Sequence, residues 1–456
     1  MGQLSFYSTN GQAVAVDLRE ALLKGQAPDR GLYLPQQFPR LTAKEIAAFA
    51  SQPYPEIAFE VLRRFTVGTV DDVALHALCA DAYNYEVPLE PVYDRVCVMR
   101  LDQGPTASFK DFAARVMARL IGYLVRESGR TLTILTATSG DTGSAVASAF
   151  HGIAGIRVLV LFPVAEVSDR QRKQMTTLRD NIRTIAVDGK FDDCQAMVKR
   201  AFADPDLAGL RLSSANSINI GRLLPQSVYY VYAYVRLADV AAREPIIFSV
   251  PSGNFGDLMG AVLATRMGVP IPRVVIATNA NDEVPRFFAT GCYEKIVPSR
   301  VCISNAMNVG HPSNLARLVD AYGGWMDEAG ALREPPDLAR LRRDFYAVSV
   351  SDDETRAAIR EAWQRHGTLL EPHGAVGWAG LQRFLAEPGA PADPLAVSIE
   401  TAHPAKFPEE IQALLGIDPV LPPSLAGIES KSEQYGHLTT DYVPFRDFLK
   451  KRFLGA

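Results

Sequence analysis

The stretch "TLTILTATSGDTGSAVASAF", residues 131 to 150, decides how the chain folds. It opens as a short β-rich apolar run, passes through the turn Thr138-Ser139-Gly140-Asp141-Thr142-Gly143, and continues as "TGSAVASAF" with helical spacing. Strand, glycine turn and helix in that order make the repeating unit of an α/β fold. The unit recurs along the chain. From about residue 96 onward the sequence predicts strands at 131–138, 157–163, 181–189, 245–253, 273–279, 345–350 and 395–402, most of them followed by helical periods. That alternation implies βα units around a largely parallel sheet. The first 90 residues differ, with helical stretches such as "LTAKEIAAFA" broken by Pro and Gly, and the last 30 read as a tail packed over the core.

At 456 residues the chain has length for two or three domains. Hydrophobic residues make up 48% and charged ones 21%, with a formal net charge of -4, the balance of an ordinary globular protein. Basic residues are scattered, so nucleic acid is not an expected partner; "DRQRKQ" at 169–174 interleaves both signs and reads as a solvated helix face. Five cysteines without CxxC or regular spacing read as reduced thiols. The N-terminus lacks the basic start and apolar run of a signal peptide, and no stretch reaches about 18 uninterrupted apolar residues. A cytoplasmic protein away from membranes is expected. The seven histidines form no HExxH or HxH pair, so no metal is expected.

Four segments carry candidate chemistry. In "GPTASFKDFAARVMARL", 104–120, apolar residues recur at spacings of three and four, so Lys110 opens a helix. A helix start disfavours an ammonium by roughly 0.3–1 kcal/mol, which suits a lysine that works as a neutral amine. In "VPSGNFGDL", Gly253, Asn254, Phe255 and Gly256 lie between a strand and a helix starting near Asp257. Glycines let backbone N–H groups converge beside the helix dipole, which makes a phosphate cradle, although a glycine pair alone more often marks only a tight turn. The turn at 138–143 places Ser139, Asp141 and Thr142 at a helix start, in excess of what capping needs, and suits a carboxylate or phosphate. In "SSANSINIGRLLPQ", Asn216, Ser217, Asn219 and Arg222 suit an anionic substrate, with a polar surface loop as the plain alternative. "SIETAHPAKF" ends a strand at Thr401, where ligands sit in α/β sheets. Neither glycine turn has the spacing of a nucleotide-binding loop. Together they fit an aldehyde cofactor bearing a phosphate.

With "STNGQAVAVDLREALLKGQAPDRGLYLP", "ATNANDEVPRF", "SNAMNVGHPSN" and "LLEPHGAVG" in the same order, these motifs identify a resemblance to pyridoxal-phosphate-dependent threonine synthases. The resemblance implies the two-lobed tryptophan-synthase-β-like α/β fold (fold type II). It implies a helical N-terminal domain over 1–95, a catalytic core over 96–430 with a smaller lobe at about 130–225, and a tail over 431–456. Lys110 matches the Schiff-base lysine, and Gly253, Asn254, Phe255 and Gly256 match the loop for the pyridoxal 5'-phosphate phosphate. Thr401 matches the hydroxyl facing the pyridine nitrogen. Ser139, Asp141 and Thr142 match the turn facing the substrate carboxylate and the ring oxygen, and Asn216, Ser217, Asn219 and Arg222 the segment at the substrate's polar end. The implied reaction turns O-phospho-L-homoserine and water into L-threonine and phosphate, in a monomer or homodimer. A phospho-lyase releasing 2-oxobutyrate and a catalytically silent binding protein are the alternatives on the same fold. Gln103, Ala107, Ser108 and Asn308 depart from the usual pattern.

Overall fold

A computed structural model describes residues 2–454. All seven predicted strands are present, and the chain builds two main sheets. The smaller sheet runs Gly436–Leu438, Ile182–Val187, Ile156–Pro163, Leu132–Ala137, Leu212–Ser213, with every neighbour parallel. Leu132–Ala137 is buried at all six positions, as its β-rich, largely apolar sequence LTILTA requires, with Thr133 and Thr136 its only polar residues. In the larger sheet the order is Phe345–Ser349, Arg273–Thr278, Ile247–Pro251, Ala396–Glu400, Val96–Arg100, Leu89–Tyr93, parallel except for the last pair. The strands at 89–93 and 96–100 escape the sequence reading because they are short and joined by two residues inside a stretch with no helical period to frame them.

Helices Leu18–Lys24, Ala43–Ala48, Tyr54–Thr66 and Asp72–Ala82 make the first 90 residues largely helical, as expected, together with a two-stranded antiparallel pair, Phe6–Ser8 with Tyr33–Pro35. Helix Lys110–Ser128 supplies the inner face of the main core through Phe112, Val116, Met117, Leu120 and Leu124, and stops at Gly129 in the left-handed conformation. Each such buried side chain stabilises by about 1.5–3 kcal/mol. The outer face of the larger sheet is covered by Asp352–His366 and Pro372–Leu385. The tail joins the smaller lobe: Gly436–Leu438 pairs with Ile182–Val187, and helix Tyr442–Leu449 packs on Phe191–Ala203.

One expectation is corrected. The segment 169–174 does begin a helix, Asp169–Thr176, but it is not a solvated face. Gln171 and Gln174 are buried, while Arg170 and Arg172 tie down Glu429 and Glu433 of the tail. Interleaved charges hid this because the partners lie far along the chain. Among the described residues, no helix is long and apolar enough to cross a membrane.

Candidate active site

The C-terminal ends of strands from both sheets converge on one cavity of about 340 Å3. This is where ligands sit in parallel sheets. Lys110, Ser139, Asp141, Thr142, Asn216, Ser217, Arg222, Gly253, Asn254, Phe255, Gly256 and Thr401 all line it. Asn219 does not reach it. Its amide donates to Leu22 O and Ser214 O and its carbonyl accepts from the Gly221 N–H, so it caps the short helix Ile220–Leu223. The sequence cannot separate Asn219 from its neighbours, since all are small polar residues in one loop.

Lys110 is the first residue of its helix, and its side chain is 14% exposed. Its Nζ lies 3.7 Å from Asp141 Oδ2 and 4.7 Å from the centre of the Phe109 ring. Burial lowers its pKa; Asp141 opposes that, while Lys406 and Arg222 assist it. Enclosure therefore favours the neutral amine. Beside it, Thr138 accepts both the Gly140 and Gly143 N–H groups at 2.9 and 2.7 Å. Capping is thus met by a single hydroxyl, which leaves those of Ser139 and Thr142 facing the cavity. Gly140 sits at φ 136°, and a Cβ there would meet Gln171 at 2.6 Å, so glycine is required.

The second turn is fastened on both sides. Asn254 donates to Ser217 Oγ at 2.6 Å and accepts from the Ser313 N–H at 2.6 Å, while Asn314 donates to Asn254 O at 3.0 Å. The fully buried Arg317 holds Ser217 O and Ile218 O, locking two cavity walls together. Arg222, 3% exposed, donates to Ala215 O, and burial pushes its pKa down to about 10. Thr401 donates to Glu371 Oε1 at 3.3 Å, and Glu371 also holds His373 Nδ1 at 2.5 Å.

Several site residues escaped the sequence reading. Lys406 pairs with Asp141 at 2.5 Å; Glu371 and His373 stand behind Thr401; Asp257 and Arg317 brace the second turn. Lys406, Glu371 and His373 occur in motifs quoted for the resemblance, yet only their burial reveals a role. Gln103 bonds Asp102, Ser108 accepts the Lys110 N–H, and Asn308 accepts from Asn279 and the Cys302 N–H.

Sequence profiles for "Pyridoxal-phosphate dependent enzyme" match residues 87–399, those for "Threonine synthase N terminus" residues 5–83, and those for "Threonine synthase, C-terminal" residues 374–449. Threonine synthase from Pseudomonas aeruginosa is 36% identical over 98% of both chains, and that from Escherichia coli 36% over 98% of this chain and 99% of its own. The chain belongs to the threonine synthase family. Crystal structures of two threonine synthases share its fold: the pyridoxal-phosphate-bound protein of Brucella melitensis (TM-score 0.91, 34% identity, 99% of each chain) and that of Escherichia coli (TM-score 0.87, 34% identity, 98% and 99%).

A threonine synthase uses pyridoxal phosphate, and this cavity fits that group. A Cβ at Gly253 would come within 3.0 Å of Ala306 O, so the turn presents bare backbone to the cavity. Among the described residues, the buried Asn216 Oδ1 and Arg222 Nε have no hydrogen-bond partner, and both belong to residues that line it.

Proposed function

We propose that this chain converts O-phospho-L-homoserine and water into L-threonine and inorganic phosphate, with Lys110 as the reactive amine. The observation that carries this reading is that a single cavity gathers Lys110, both glycine turns and Thr401. When bound, pyridoxal phosphate supplies an aldehyde that captures amines and a ring that withdraws electrons from the adjoining carbon. Gly253, Asn254, Phe255 and Gly256 hold its phosphate with backbone N–H groups at the start of helix Gly256–Met267. Thr401 would face the ring nitrogen and Asp141 the ring oxygen. Ser139 and Thr142 receive the substrate carboxylate. Asn216, Ser217 and Arg222 attract its phosphate end; Asn219 is left out of this set and keeps a structural role.

Lys110 takes a proton from the substrate's Cα, moves protons at Cα and Cβ as phosphate leaves and water adds, and returns one to Cα. A base must be uncharged to do so, and the enclosed position of Lys110 favours that state. The chain divides as helical N-terminal domain 1–95, whose last strand Leu89–Tyr93 already joins the core's larger sheet, core 96–430 with its smaller lobe at about 130–225, and tail 431–456, whose strand Gly436–Leu438 joins the smaller lobe's sheet. It works in the cytoplasm as a monomer or homodimer, a setting supported by five free cysteines. The test is to incubate the purified enzyme with O-phospho-L-homoserine and separate the products. Threonine and phosphate in equal amounts are expected; 2-oxobutyrate with little threonine would identify a phospho-lyase instead.

A further inference from the structure

Lys406 is a second lysine beside the reactive one. It closes the turn Pro404–Lys406, is 1% exposed, and stands behind the cavity wall. Its Nζ lies 2.5 Å from Asp141 Oδ1 and donates to Thr106 O at 3.0 Å. Gln171 donates to the same carboxylate oxygen at 2.9 Å, which leaves Oδ2 as the oxygen facing Lys110 at 3.7 Å. Two lysine amines thus flank one buried carboxylate, the inner one in contact and the outer one at longer range.

We propose that Lys406 is a positioning residue that neutralises Asp141, so that Lys110 remains an uncharged amine. The inference rests on Lys110 being the reactive amine. A buried carboxylate facing Lys110 alone would favour the ammonium form, because Coulomb attraction is poorly screened away from water. Lys406 cancels that charge, and at 0% side-chain exposure it cannot reach substrate itself. The other charged groups around Lys110 divide evenly by sign. Arg222 adds to the positive side and Glu371 to the negative, both acting at longer range than the lysine–carboxylate pair. Asp257, on helix Gly256–Met267, also senses Lys110 but is drawn toward its neutral form by burial, and His373 acts on Asp141 from the helix after Glu371. The Asp141–Lys406 contact therefore sets the balance. The pKa directions agree: Lys406 pushes Lys110 down, while Lys406 and Lys110 together hold Asp141 below the usual carboxylate range against the upward pull of burial.

The experiment follows the pH dependence of Lys110 acetylation by acetic anhydride in the full-length protein stripped of cofactor, read by peptide mass spectrometry. In Lys406→Gln the freed Asp141 pairs with Lys110, and the ratio of charged to neutral amine at a given pH is expected to rise about tenfold or more, one pKa unit. An unchanged or lower ratio would overturn the proposal. The double variant Asp141→Asn, Lys406→Gln leaves no orphan charge, and guards against a single variant that does not fold. Its Lys110 is expected to titrate within about threefold of the wild type; a tenfold fall would mean that Asp141 holds Lys110 charged in the wild type, and would refute the role of Lys406. Borohydride reduction of the cofactor-loaded wild type tests the underlying assignment separately. Cofactor fixed to another lysine defeats that assignment, whereas cofactor on Lys110 with an unmoved titration defeats only the role of Lys406.

Discussion

The two glycine turns look like copies of one another, Ser139-Gly140-Asp141 in one lobe and Ser252-Gly253 through Gly256-Asp257 in the other, each placing a buried aspartate in the first turn of a helix. Their carboxyls are shifted in opposite directions. Asp141 meets Lys406, which holds it ionised despite burial, with Lys110 facing its other oxygen. Asp257 meets the hydroxyls of Tyr229 and Tyr230 at 2.5 and 2.7 Å, and burial pushes it up to about 6. A helix start alone therefore does not decide the charge of an acidic residue there. Formal cations decide it, and neutral hydroxyls only moderate the cost of burial.

Four substitutions probe this contrast, from the strongest effect to the weakest. Lys110→Ala removes the group that the ionised turn serves, and turnover should fall on the order of 10⁴-fold or more, while the visible absorbance of bound cofactor persists through the second turn; retained turnover would break the assignment. Asp141→Asn leaves Lys406 as a buried, unpaired charge, so the urea midpoint should drop in line with about 3–5 kcal/mol. Asp257→Asn should do the reverse above neutrality. The folded carboxyl titrates at about 6 against 3.8 unfolded, so its contribution is fully present below the lower value and is lost as pH rises to the higher one. That loss amounts to at most about 3 kcal/mol, and the variant's stability curve between these pH values should be flatter than the wild type's by up to that amount. Asn219→Ala should cost about 1–2 kcal/mol in denaturation and leave kcat/KM within about twofold; a large loss of kcat/KM would return Asn219 to the substrate.

The parts of the fold written in local patterns were readable beforehand. Six of the seven strands announce themselves as apolar runs ended by Gly, Pro or Asn, the run at 345–350 by Ser and Asp, and helix Lys110–Ser128 by its period and its terminal Gly129. Ser139, Asp141, Thr142, Gly253 to Gly256 and Thr401 sit at the ends of three of those strands, whereas Lys110 and the 216–222 loop follow strands that were not readable and were found from their own motifs, which leave Asn219 indistinguishable from Asn216. What could not be read is pairing at a distance. Nothing around "HPAK" says that its lysine reaches Asp141, nor anything in "DRQRKQ" that two glutamines turn inward beneath three basic residues. Those facts depend on which surfaces meet, and charge patterns along the chain carry no information about that. The same limit applies to Arg317, an ordinary helix residue by sequence, which holds the carbonyls of Ser217 and Ile218 in one loop and of Tyr33 in the N-terminal strand pair.

The strand Gly436–Leu438 has a consequence for the life of the polypeptide. It covers the flank of Ile182–Val187, which would otherwise offer a row of unpaired amides and carbonyls to any passing chain. A nick ahead of residue 436 that freed this strand would bare that flank as a sheet edge, the kind of surface on which chains aggregate. The strand therefore guards solubility at a place where the cavity has no part.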